Sequence, residues 1–278
     1  MVVLVTGANG QLGQALQSVS KKHDTIHFHF AHSAQADITD KESLQQLFYT
    51  VKPDFCVNAA AYTAVDKAES EPQKAYAVNV EGARNLAEIC SDFNTTLIHI
   101  STDFVFDGKK KTPYLETDEP NPQGVYGLTK LQGEQAIQNT FQNYFILRTS
   151  WVYSPYGNNF MKTMLRLASE RDSLNVVNDQ IGTPTNAIDL AEAILQIIQS
   201  GKKDYGIYNF SNDGVISWFD FAREIFDLNN VPINLTPIPT AAYPTPAKRP
   251  EYSVLDKTKI RETFGISIRD WKDALANI

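Results

Sequence analysis

A glycine-rich segment near the start of the chain constrains the fold more than any other feature. The run Thr6-Gly7-Ala8-Asn9-Gly10-Gln11-Leu12-Gly13 follows an apolar stretch at 2–6 and precedes a helical pattern at 11–20. In such a strand–loop–helix unit, Gly7 permits a tight turn, Gly10 lets the backbone approach a pyrophosphate and Gly13 lets the helix pack closely on the strand. The helix N-terminus adds amides and a favourable dipole. This context predicts dinucleotide binding; a glycine turn that only connects two elements is the simpler alternative.

The first half of the chain alternates short apolar runs with amphipathic stretches. The pattern predicts strands at 2–6, 25–30, 55–60, 97–101 and 144–149, and helices at 11–20, 41–51, 71–93 (with a break near 81–82) and 126–138. Continuous apolar strands separated by helices are typical of a parallel sheet covered on both faces. We therefore expect an α/β fold, a Rossmann-type doubly wound parallel sheet.

The pattern loosens after residue 152. We expect helices at 158–169, 187–200, 218–228, 257–264 and 268–276, a strand at 205–210, and an irregular extended segment at 232–250 that contains six prolines. The expected division is a dinucleotide-binding domain at 1–152, to which 182–212 returns, and a smaller C-terminal α/β substrate-binding domain at 153–181 and 213–278.

Composition narrows the class of protein. A net charge of −7 argues against nucleic acid as the main partner, and no apolar run approaches the length of a membrane span. Cys56 and Cys90 lie in apolar stretches outside any CxxC pair, which indicates reduced thiols in a cytoplasmic protein. His27 and His29 would share a strand face, but no third ligand stands at useful spacing, so an exposed strand face is favoured over a metal site.

A phenol and an ammonium lie four residues apart in Tyr126-Gly127-Leu128-Thr129-Lys130, on one face of a predicted helix. A ketone that accepts hydride becomes an alkoxide and needs a proton, which a tyrosine assisted by a neighbouring cation can supply. A solvated helix face is the simpler alternative, but the upstream glycine loop favours the catalytic one. Thr102 follows the fourth predicted strand, where a hydroxyl can bind the substrate oxygen; a turn-forming hydroxyl is the alternative.

The cofactor preference depends on the end of the second predicted strand. Phe30-Ala31-His32-Ser33 offers no carboxylate to a ribose hydroxyl, so a 2′-phosphate would meet no like charge. This favours NADPH, while NADH stays open because no arginine stands there either. Asp37 comes too late for the ribose and could either accept from the adenine amino group or cap the next helix.

With these motifs in place, the chain resembles the dTDP-4-dehydrorhamnose reductases, a family of extended short-chain dehydrogenases. The resemblance runs over nearly the whole chain. It is carried by VTGANGQLG (5–13), DITD (37–40), NAAAYTAVDKAE (58–69), STDFVFDG (101–108), YGLTK (126–130), RTSWVY (148–153), DQIGTPT (179–185) and RPEYS (249–253). The glycine loop and YGLTK mark only the superfamily, whereas AYTAVD, STDFVFDG, RTSWVY and DQIGTPT are more specific to the family.

The resemblance implies reduction of the C4 ketone of dTDP-4-dehydro-6-deoxy-L-mannose to dTDP-L-rhamnose. Tyr126 would donate the proton, and Lys130 would bind the nicotinamide ribose and lower the pKa of the tyrosine. Thr102 would bind the reacting oxygen, with Asp103 beside it. The implied cofactor contacts are Gly7, Asn9, Gly10, Gln11, Leu12, Gly13, Asp37, Ile38, Ala59, Ala60, Ala61, Tyr126 and Lys130.

The implied contacts with the sugar and its nucleotide are Thr63, Val65, Phe104, Phe106 and Trp151. Arg249 is added because a guanidinium in a proline-bounded segment suits a diphosphate, although a surface salt bridge is the alternative. Phe104 stands where many members have tyrosine, which removes a hydroxyl. Residue 15 is alanine, whereas some members carry a glutamate there for a magnesium-linked dimer; no metal is therefore expected, and a homodimer of another kind stays open.

Three other functions remain as alternatives. Related enzymes reduce neighbouring dTDP-4-keto-6-deoxy sugars with much the same motifs. A non-catalytic NADP-binding regulatory subunit, like that of methionine adenosyltransferase, would be favoured by loss of Tyr126 or Lys130, and both are present. An epimerase or dehydratase of the same superfamily is the third, and Asp103 without a following glutamate speaks against the usual dehydratase pattern.

Overall fold

A computed structural model describes residues 1–278. The first part of the chain forms, in order, β1 (Val2–Thr6), α1 (Gln11–Ser20), β2 (His27–Ala31), α2 (Lys41–Val51), β3 (Phe55–Asn58), α3 (Val65–Ala68), α4 (Pro72–Tyr76), a π-helical segment (Ala77–Glu81), α5 (Gly82–Asp92), β4 (Thr96–Thr102), a 3₁₀ turn (Asp103–Val105), α6 (Val125–Thr140) and β5 (Tyr144–Thr149).

The rest of the chain adds short strands and more helices. They are β6 (Val152–Tyr153), α7 (Phe160–Ala168), β7 (Ser173–Val177), β8 (Ile181–Gly182), β9 (Thr185–Asn186), α8 (Ala187–Ser200), β10 (Gly206–Asn209), β11 (Ile216–Ser217), α9 (Trp218–Leu228), β12 (Asn234–Ile238), a 3₁₀ turn (Thr240–Ala242), α10 (Thr258–Phe264) and α11 (Trp271–Ala276).

Six of the strands form one parallel sheet in the order β2-β1-β3-β4-β5-β10. Both faces are covered, because alternate residues of β1 enter two separate cores: Val3 and Val5 pack with α1 and α8, while Leu4 packs with α2 and α5. Strand residues that are buried on both faces explain the continuous apolar runs in the sequence. The predicted doubly wound parallel sheet is confirmed.

Several segments differ from their sequence predictions, and α3 with the short strands β6, β7, β8, β9 and β11 were not predicted at all. The helix expected at 71–93 contains the π-helical segment Ala77–Glu81, whose buried Asn79 bonds the backbone N–H and C=O of Tyr62 at 2.9 and 3.1 Å. The proline-rich segment expected to be irregular contains β12, which pairs in parallel with β7. Most β12 side chains are exposed, so the strand lacks the apolar run by which the others are recognised.

None of the helices combines the length and the apolar character needed to cross a bilayer. Outside the main sheet, β6 pairs with β9, β7 with β12 and β8 with β11. Helices α7, α9 and α11 contribute to two smaller cores near these strands. The division of the chain into two domains at the stated boundaries stays a prediction.

Candidate active site

The candidate site lies at the carboxyl edge of the parallel sheet, where the strand order changes direction. Strand β1 has β2 on one side and β3 on the other, so the loops after β1 and β3 separate and leave a crevice between them. The glycine loop follows β1, the three alanines Ala59–Ala61 follow β3, and Thr102 ends β4. The sheet therefore gathers the predicted cofactor and catalytic segments at one edge.

The glycine loop has no room for side chains at its first and last glycines. Gly7 has a φ of +70°, and a Cβ there would lie 2.5 Å from the amide nitrogen of Ala60. A Cβ at Gly13 would lie 2.6 Å from the carbonyl carbon of Ala8 and would collide with the carbonyl oxygen of Gly7. The loop after β1 and the backbone after β3 are thus in direct contact, as a shared dinucleotide crevice requires.

We expect Gly13→Ala to destabilise the cofactor-free protein by about 1–3 kcal/mol, because the added methyl group must displace fixed backbone. Gly10→Ala is the matched control: the nearest atom to its Cβ is the carbonyl oxygen of Gly7 at 3.3 Å, and its φ of −73° is open to any residue. Thermal unfolding of both variants measures the difference. Equal melting temperatures would contradict the packing role given to Gly13.

The start of α1 presents free backbone amides. Gly10 is the N-cap and no side chain caps the helix, so its first amides remain available to an anion. Asn9 and Gly10 are exposed, whereas Leu12 is buried in the core. The Gln11 side chain is already engaged: its Oε1 accepts from Ser154 and Asn159, each at 2.9 Å.

The segment after β2 settles one open alternative. Asp37 is exposed, and its Oδ1 accepts from the backbone amide and hydroxyl of Thr39 at 2.9 and 2.8 Å. The expectation that it could cap the next helix is wrong, because Asp40 is the N-cap of α2 and accepts from Ser43 at 3.1 Å. Ile38 is buried, and Ala59, Ala60 and Ala61 are half-buried after β3.

Thr102 and Asp103 form the turn that ends β4. Thr102 is buried, donates to Asp103 Oδ1 at 3.0 Å and accepts from the Phe104 amide at 3.2 Å. Asp103 is 1% exposed, and its Oδ2 has no hydrogen-bond partner. Burial raises the pKa of Asp103 to about 6, against the lowering effect of the nearby hydroxyls of Ser253 and Thr102. An unpaired buried carboxylate oxygen beside a hydroxyl is a ready acceptor for a ligand.

Tyr126 lies in the first turn of α6 and faces this turn. Its ring meets that of Phe104 edge to face, with centroids 5.5 Å apart. Burial raises the pKa of Tyr126 to about 12; a hydrogen bond with Thr102 lowers it and the charge of Asp103 raises it further. The phenol is therefore protonated at neutral pH and lies beside the turn that carries Thr102, the residue predicted to bind the reacting oxygen.

Lys130 lies one helical turn further along α6 and is 2% exposed. Its Nζ donates to the carbonyl oxygen of Ile100 at 2.7 Å and lies 3.3 Å from Nε2 of His99. Burial lowers the pKa of Lys130 to about 8, and the charge of Glu134 opposes this. Burial is the largest cause that shifts the Tyr126 pKa, and the amine of Lys130 is turned toward β4. The lowering of the Tyr126 pKa by Lys130 stays a prediction.

The predicted substrate contacts fall into two groups. Thr63, Val65, Phe104 and Trp151 all keep exposed surface. Phe106 does not: it is 1% exposed, stacks on Tyr114 with centroids 4.3 Å apart and lies under the guanidinium of Arg148. The structure therefore places Phe106 in the core beneath the site, where its ring supports the loop after β4 rather than lining open space.

Arg249 forms a salt bridge, which was the alternative to its predicted contact with a diphosphate. Its two terminal nitrogens bind the carboxylate of Asp66 at 3.0 and 2.7 Å, and the hydrogen bond to this guanidinium is the largest cause that lowers the pKa of Asp66. Asp66 belongs to the AYTAVD segment and lies in α3, so the pair ties the C-terminal segment to this helix. Binding of a diphosphate by Arg249 stays a prediction.

Trp151 has a left-handed backbone, with φ of +48°. Its indole stacks on that of Trp218 with centroids 3.6 Å apart, and a Cβ at Gly182 would lie 2.6 Å from its ring. A positive φ is strained for a bulky residue and persists only where packing holds it. The sequence predicted a helix at 218–228 but gave no sign that Trp218, at its start, stacks on Trp151.

Sequence reasoning also missed a buried ion pair beneath the site. Arg148 on β5 and Glu134 on α6 are almost completely buried and bonded twice, at 3.0 and 2.7 Å. The hydroxyl of Ser101 on β4 donates to the same carboxylate. The signals were a charged residue in the apolar run of β5 and the four-residue spacing between Lys130 and Glu134. The pair anchors α6 to two strands of the sheet.

The histidines predicted to lie on an exposed face, His27 and His29, are exposed on the edge strand β2. No three histidine, cysteine or acidic side chains lie close enough together to hold a metal ion. Lys110, in the loop after β4, pairs with Asp118 at 2.5 Å.

Comparison with known proteins identifies the family. The family model of the RmlD substrate binding domain matches residues 1–278. The chain is 46% identical to the dTDP-4-dehydrorhamnose reductase of Aggregatibacter actinomycetemcomitans, covering 99% of this chain and 97% of that protein. It is 41% identical to the Escherichia coli (strain K12) enzyme of the same name, covering 98% and 95%.

A solved structure agrees with these relatives. The crystal structure of dTDP-4-dehydrorhamnose reductase from Bacillus anthracis in complex with NADP superposes with a TM-score of 0.96 at 39% identity, covering 99% of this chain and 97% of that one. Sequence and architecture thus match over their full lengths, and the chain belongs to the dTDP-4-dehydrorhamnose reductase family.

Proposed function

We propose that this protein reduces the C4 ketone of dTDP-4-dehydro-L-rhamnose to the alcohol of dTDP-L-rhamnose, with NADPH as the reductant. The observation that carries the proposal is the placement of Tyr126 against the turn that ends β4: its ring packs on Phe104, with centroids 5.5 Å apart, and the amide of Phe104 donates to Thr102 Oγ1 at 3.2 Å. The phenol of Tyr126 and the hydroxyl of Thr102 would both bind the same carbonyl oxygen of the substrate. The relatives named dTDP-4-dehydrorhamnose reductase support the choice of sugar.

The crevice suits a phosphorylated nicotinamide dinucleotide. A Cβ at Gly7 or Gly13 would collide with backbone, the first amides of α1 are uncapped, and no carboxylate directly follows Ala31 at the end of β2. The bound cofactor supplies the hydride. Gly7, Gly10 and Gly13 with Ala59, Ala60 and Ala61 would hold it, and absence of the acid that normally bonds the ribose hydroxyl favours the 2′-phosphate form.

The proton comes from Tyr126. As the ketone gains hydride, negative charge develops on its oxygen, and Oη of Tyr126 gives that oxygen its proton. Thr102 Oγ1, which bonds Asp103 in this structure, turns to donate to the same oxygen and stabilise the charge. Asp103, whose Oδ1 accepts from Thr102 at 3.0 Å, holds this hydroxyl at the end of β4.

Lys130 stabilises the phenolate that remains. A buried phenolate is unfavourable, as the raised pKa of Tyr126 indicates, and a nearby ammonium offsets that cost. The bond to Ile100 holds the amine beneath the site at 2.7 Å. Arg249 and Thr63 would meet the nucleotide, and Val65, Phe104 and Trp151 the sugar.

The proposal predicts that NADPH is oxidised only when a dTDP-4-keto-6-deoxy sugar is supplied. Absorbance at the nicotinamide band follows the rate with dTDP-4-dehydro-L-rhamnose, with its D-configured 3,5-epimer and with each sugar omitted. NADH is run in parallel, and a lower kcat/KM is expected for it. Equal turnover of simple ketones would contradict the proposal that the substrate is a nucleotide sugar.

The free, buried thiols of Cys56 and Cys90 support a cytoplasmic location, where such thiols stay reduced. A homodimer stays a prediction, to be checked by the molar mass of the protein in solution.

A further inference from the structure

A buried polar chain runs beneath the catalytic lysine and is not used by the proposed mechanism. Thr6 Oγ1 donates to Asn58 Oδ1 at 2.8 Å, Asn58 Nδ2 lies 3.0 Å from His99 Nδ1, and His99 Nε2 lies 3.3 Å from Lys130 Nζ. Each of the four residues is at most 2% exposed. The strands β1, β3 and β4 bring them together because Thr6 pairs with Asn58 and Asn58 with His99.

The backbone fixes the direction of this chain. The amide N–H of Ala60, which can only donate, lies 3.1 Å from Oδ1 of Asn58, so that atom is the oxygen and the NH₂ group faces His99. An NH₂ group donates, and therefore Nδ1 of His99 accepts and carries no hydrogen. A flipped ring would leave both Asn58 and Lys130 against carbon atoms.

The hydrogen of His99 must then sit on Nε2. Burial and the neighbouring charge of Lys130 hold the pKa of His99 well below its usual range, so the ring is neutral and has one N–H. That N–H faces Lys130 Nζ. A neutral amine has a lone pair that can accept this hydrogen, whereas an ammonium presents only hydrogens to it.

We propose that His99 is a positioning residue for Lys130: its Nε2–H, directed by Asn58, donates to the lysine nitrogen and stabilises the neutral amine relative to the ammonium. This inference rests on the proposed reductase function, because it assigns Lys130 a role in the proton balance of the site. Ile100 orients the amine in both states, since its carbonyl accepts from either.

The other charged and titratable groups around Lys130 do not favour its neutral form. On its own helix, Glu134 favours the ammonium, but Arg148 on β5 binds that carboxylate at 2.7 Å. Tyr126 is protonated at neutral pH, and Asp103 lies in the turn after β4. The residues that β1 and β3 contribute to the buried hydrogen-bonded chain, Thr6 and Asn58, are uncharged. Of the two groups close to Nζ, the carbonyl of Ile100 accepts from either form of the amine, whereas the Nε2–H of His99 disfavours the ammonium.

The contact between His99 and Lys130 would assist the return of a proton to Tyr126. After Tyr126 gives up its proton, the Lys130 ammonium first stabilises the phenolate and then returns a proton to it, which leaves the neutral amine to be reprotonated by water. His99 lowers the cost of the neutral state and so assists that return. It touches neither the carbonyl nor the reacting hydroxyls and acts only through Lys130.

The first test reads the tautomer and needs no activity. In the full-length protein labelled with ¹⁵N-histidine, a long-range ¹H–¹⁵N spectrum should show His99 as the neutral Nε2–H tautomer from pH 6 to 9, assigned by its absence in His99→Phe. The Nδ1–H tautomer or an imidazolium would overturn the proposal. Because no substrate is used, this result is independent of whether the proposed reaction is correct.

The second test reverses the tautomer. In Asn58→Asp the carboxylate still accepts from Ala60 and Thr6 but also accepts from Nδ1–H, so Nε2 becomes an acceptor for the ammonium. The pKa of Lys130, followed by its ¹³Cε shift, and the alkaline limb of the kcat/KM profile should both rise by about one pH unit or more, because the new hydrogen bond and the charge of the carboxylate act in the same direction. His99→Phe removes the donor without adding a charge and should shift both quantities in the same direction, which separates the effect of the hydrogen bond from that of the carboxylate.

His29→Phe, on the exposed edge strand, is the matched control and should shift neither quantity. A purely structural role for His99 would lower kcat/KM equally at every pH and leave the alkaline limb in place. That outcome, or an unchanged pKa of Lys130 in Asn58→Asp, would overturn the proposal. If His99→Phe does not fold, Asn58→Asp and the tautomer measurement still decide.

Discussion

Tyr126→Phe is expected to lower kcat for ketone reduction by about 10²–10⁴-fold, because the substitution removes the group that donates the proton. The ring keeps its place: its edge-to-face contact with Phe104, with centroids 5.5 Å apart, does not involve the hydroxyl. The affinity for NADPH and the melting temperature should therefore change little. Single-turnover reduction of the dTDP-keto sugar, followed by loss of NADPH absorbance, measures the effect on chemistry.

Tyr49→Phe serves as the control, since Tyr49 is 65% exposed on α2 and should behave as the unmodified protein. The loss in Tyr126→Phe should appear in kcat rather than in KM, because the proton is transferred only in the transition state. A Tyr126→Phe enzyme that turns over at the normal rate would disprove the assignment of the proton donor.

Arg148→Met is expected to lower the free energy of unfolding by about 3–5 kcal/mol, because it leaves the carboxylate of Glu134 buried without its partner. Both side chains are almost completely buried and joined by two hydrogen bonds. Urea unfolding monitored by circular dichroism measures the loss. Activity should fall as well, since Glu134 lies on the helix that carries Tyr126 and Lys130.

Two further variants test whether the loss of stability comes from the unpaired buried charge or from the removal of any ion pair. Adding Glu134→Gln to Arg148→Met removes the unpaired charge but keeps an acceptor for Ser101, and should restore more than half of the lost stability. Arg166→Met breaks an exposed pair with Glu170 and should cost less than about 1 kcal/mol. Equal losses in the buried and exposed variants would refute the role of burial.

Much of the fold could be predicted because buried parallel strands leave a clear mark on a sequence. The residues of β1 enter two cores, so its apolar run is continuous. Strand β12 could not be found in this way: it contains Pro237, its side chains are mostly exposed, and its only partner is β7. Its existence depends on a contact between distant segments that periodicity does not encode.

The same limit applies to the site. Motifs placed Thr102, Tyr126 and Lys130 at one edge of the sheet, because strand ends and helix starts follow from local patterns. The packing of Phe106 into the core and the pair between Arg249 and Asp66 depend on how the C-terminal segment folds back. His99 left a weak trace as a polar residue within the apolar run of β4, but its partner Asn58 could be identified only from the strand register.

The most direct test of the account is the identity of the product. The protein is incubated with dTDP-4-dehydro-L-rhamnose and NADPH that carries deuterium in the transferable position, and the sugar is analysed by NMR. The account predicts dTDP-L-rhamnose with deuterium at C4 and one NADP⁺ formed per sugar. Formation of the C4 epimer, deuterium at another carbon, or recovery of unreacted ketone beside active protein would contradict it.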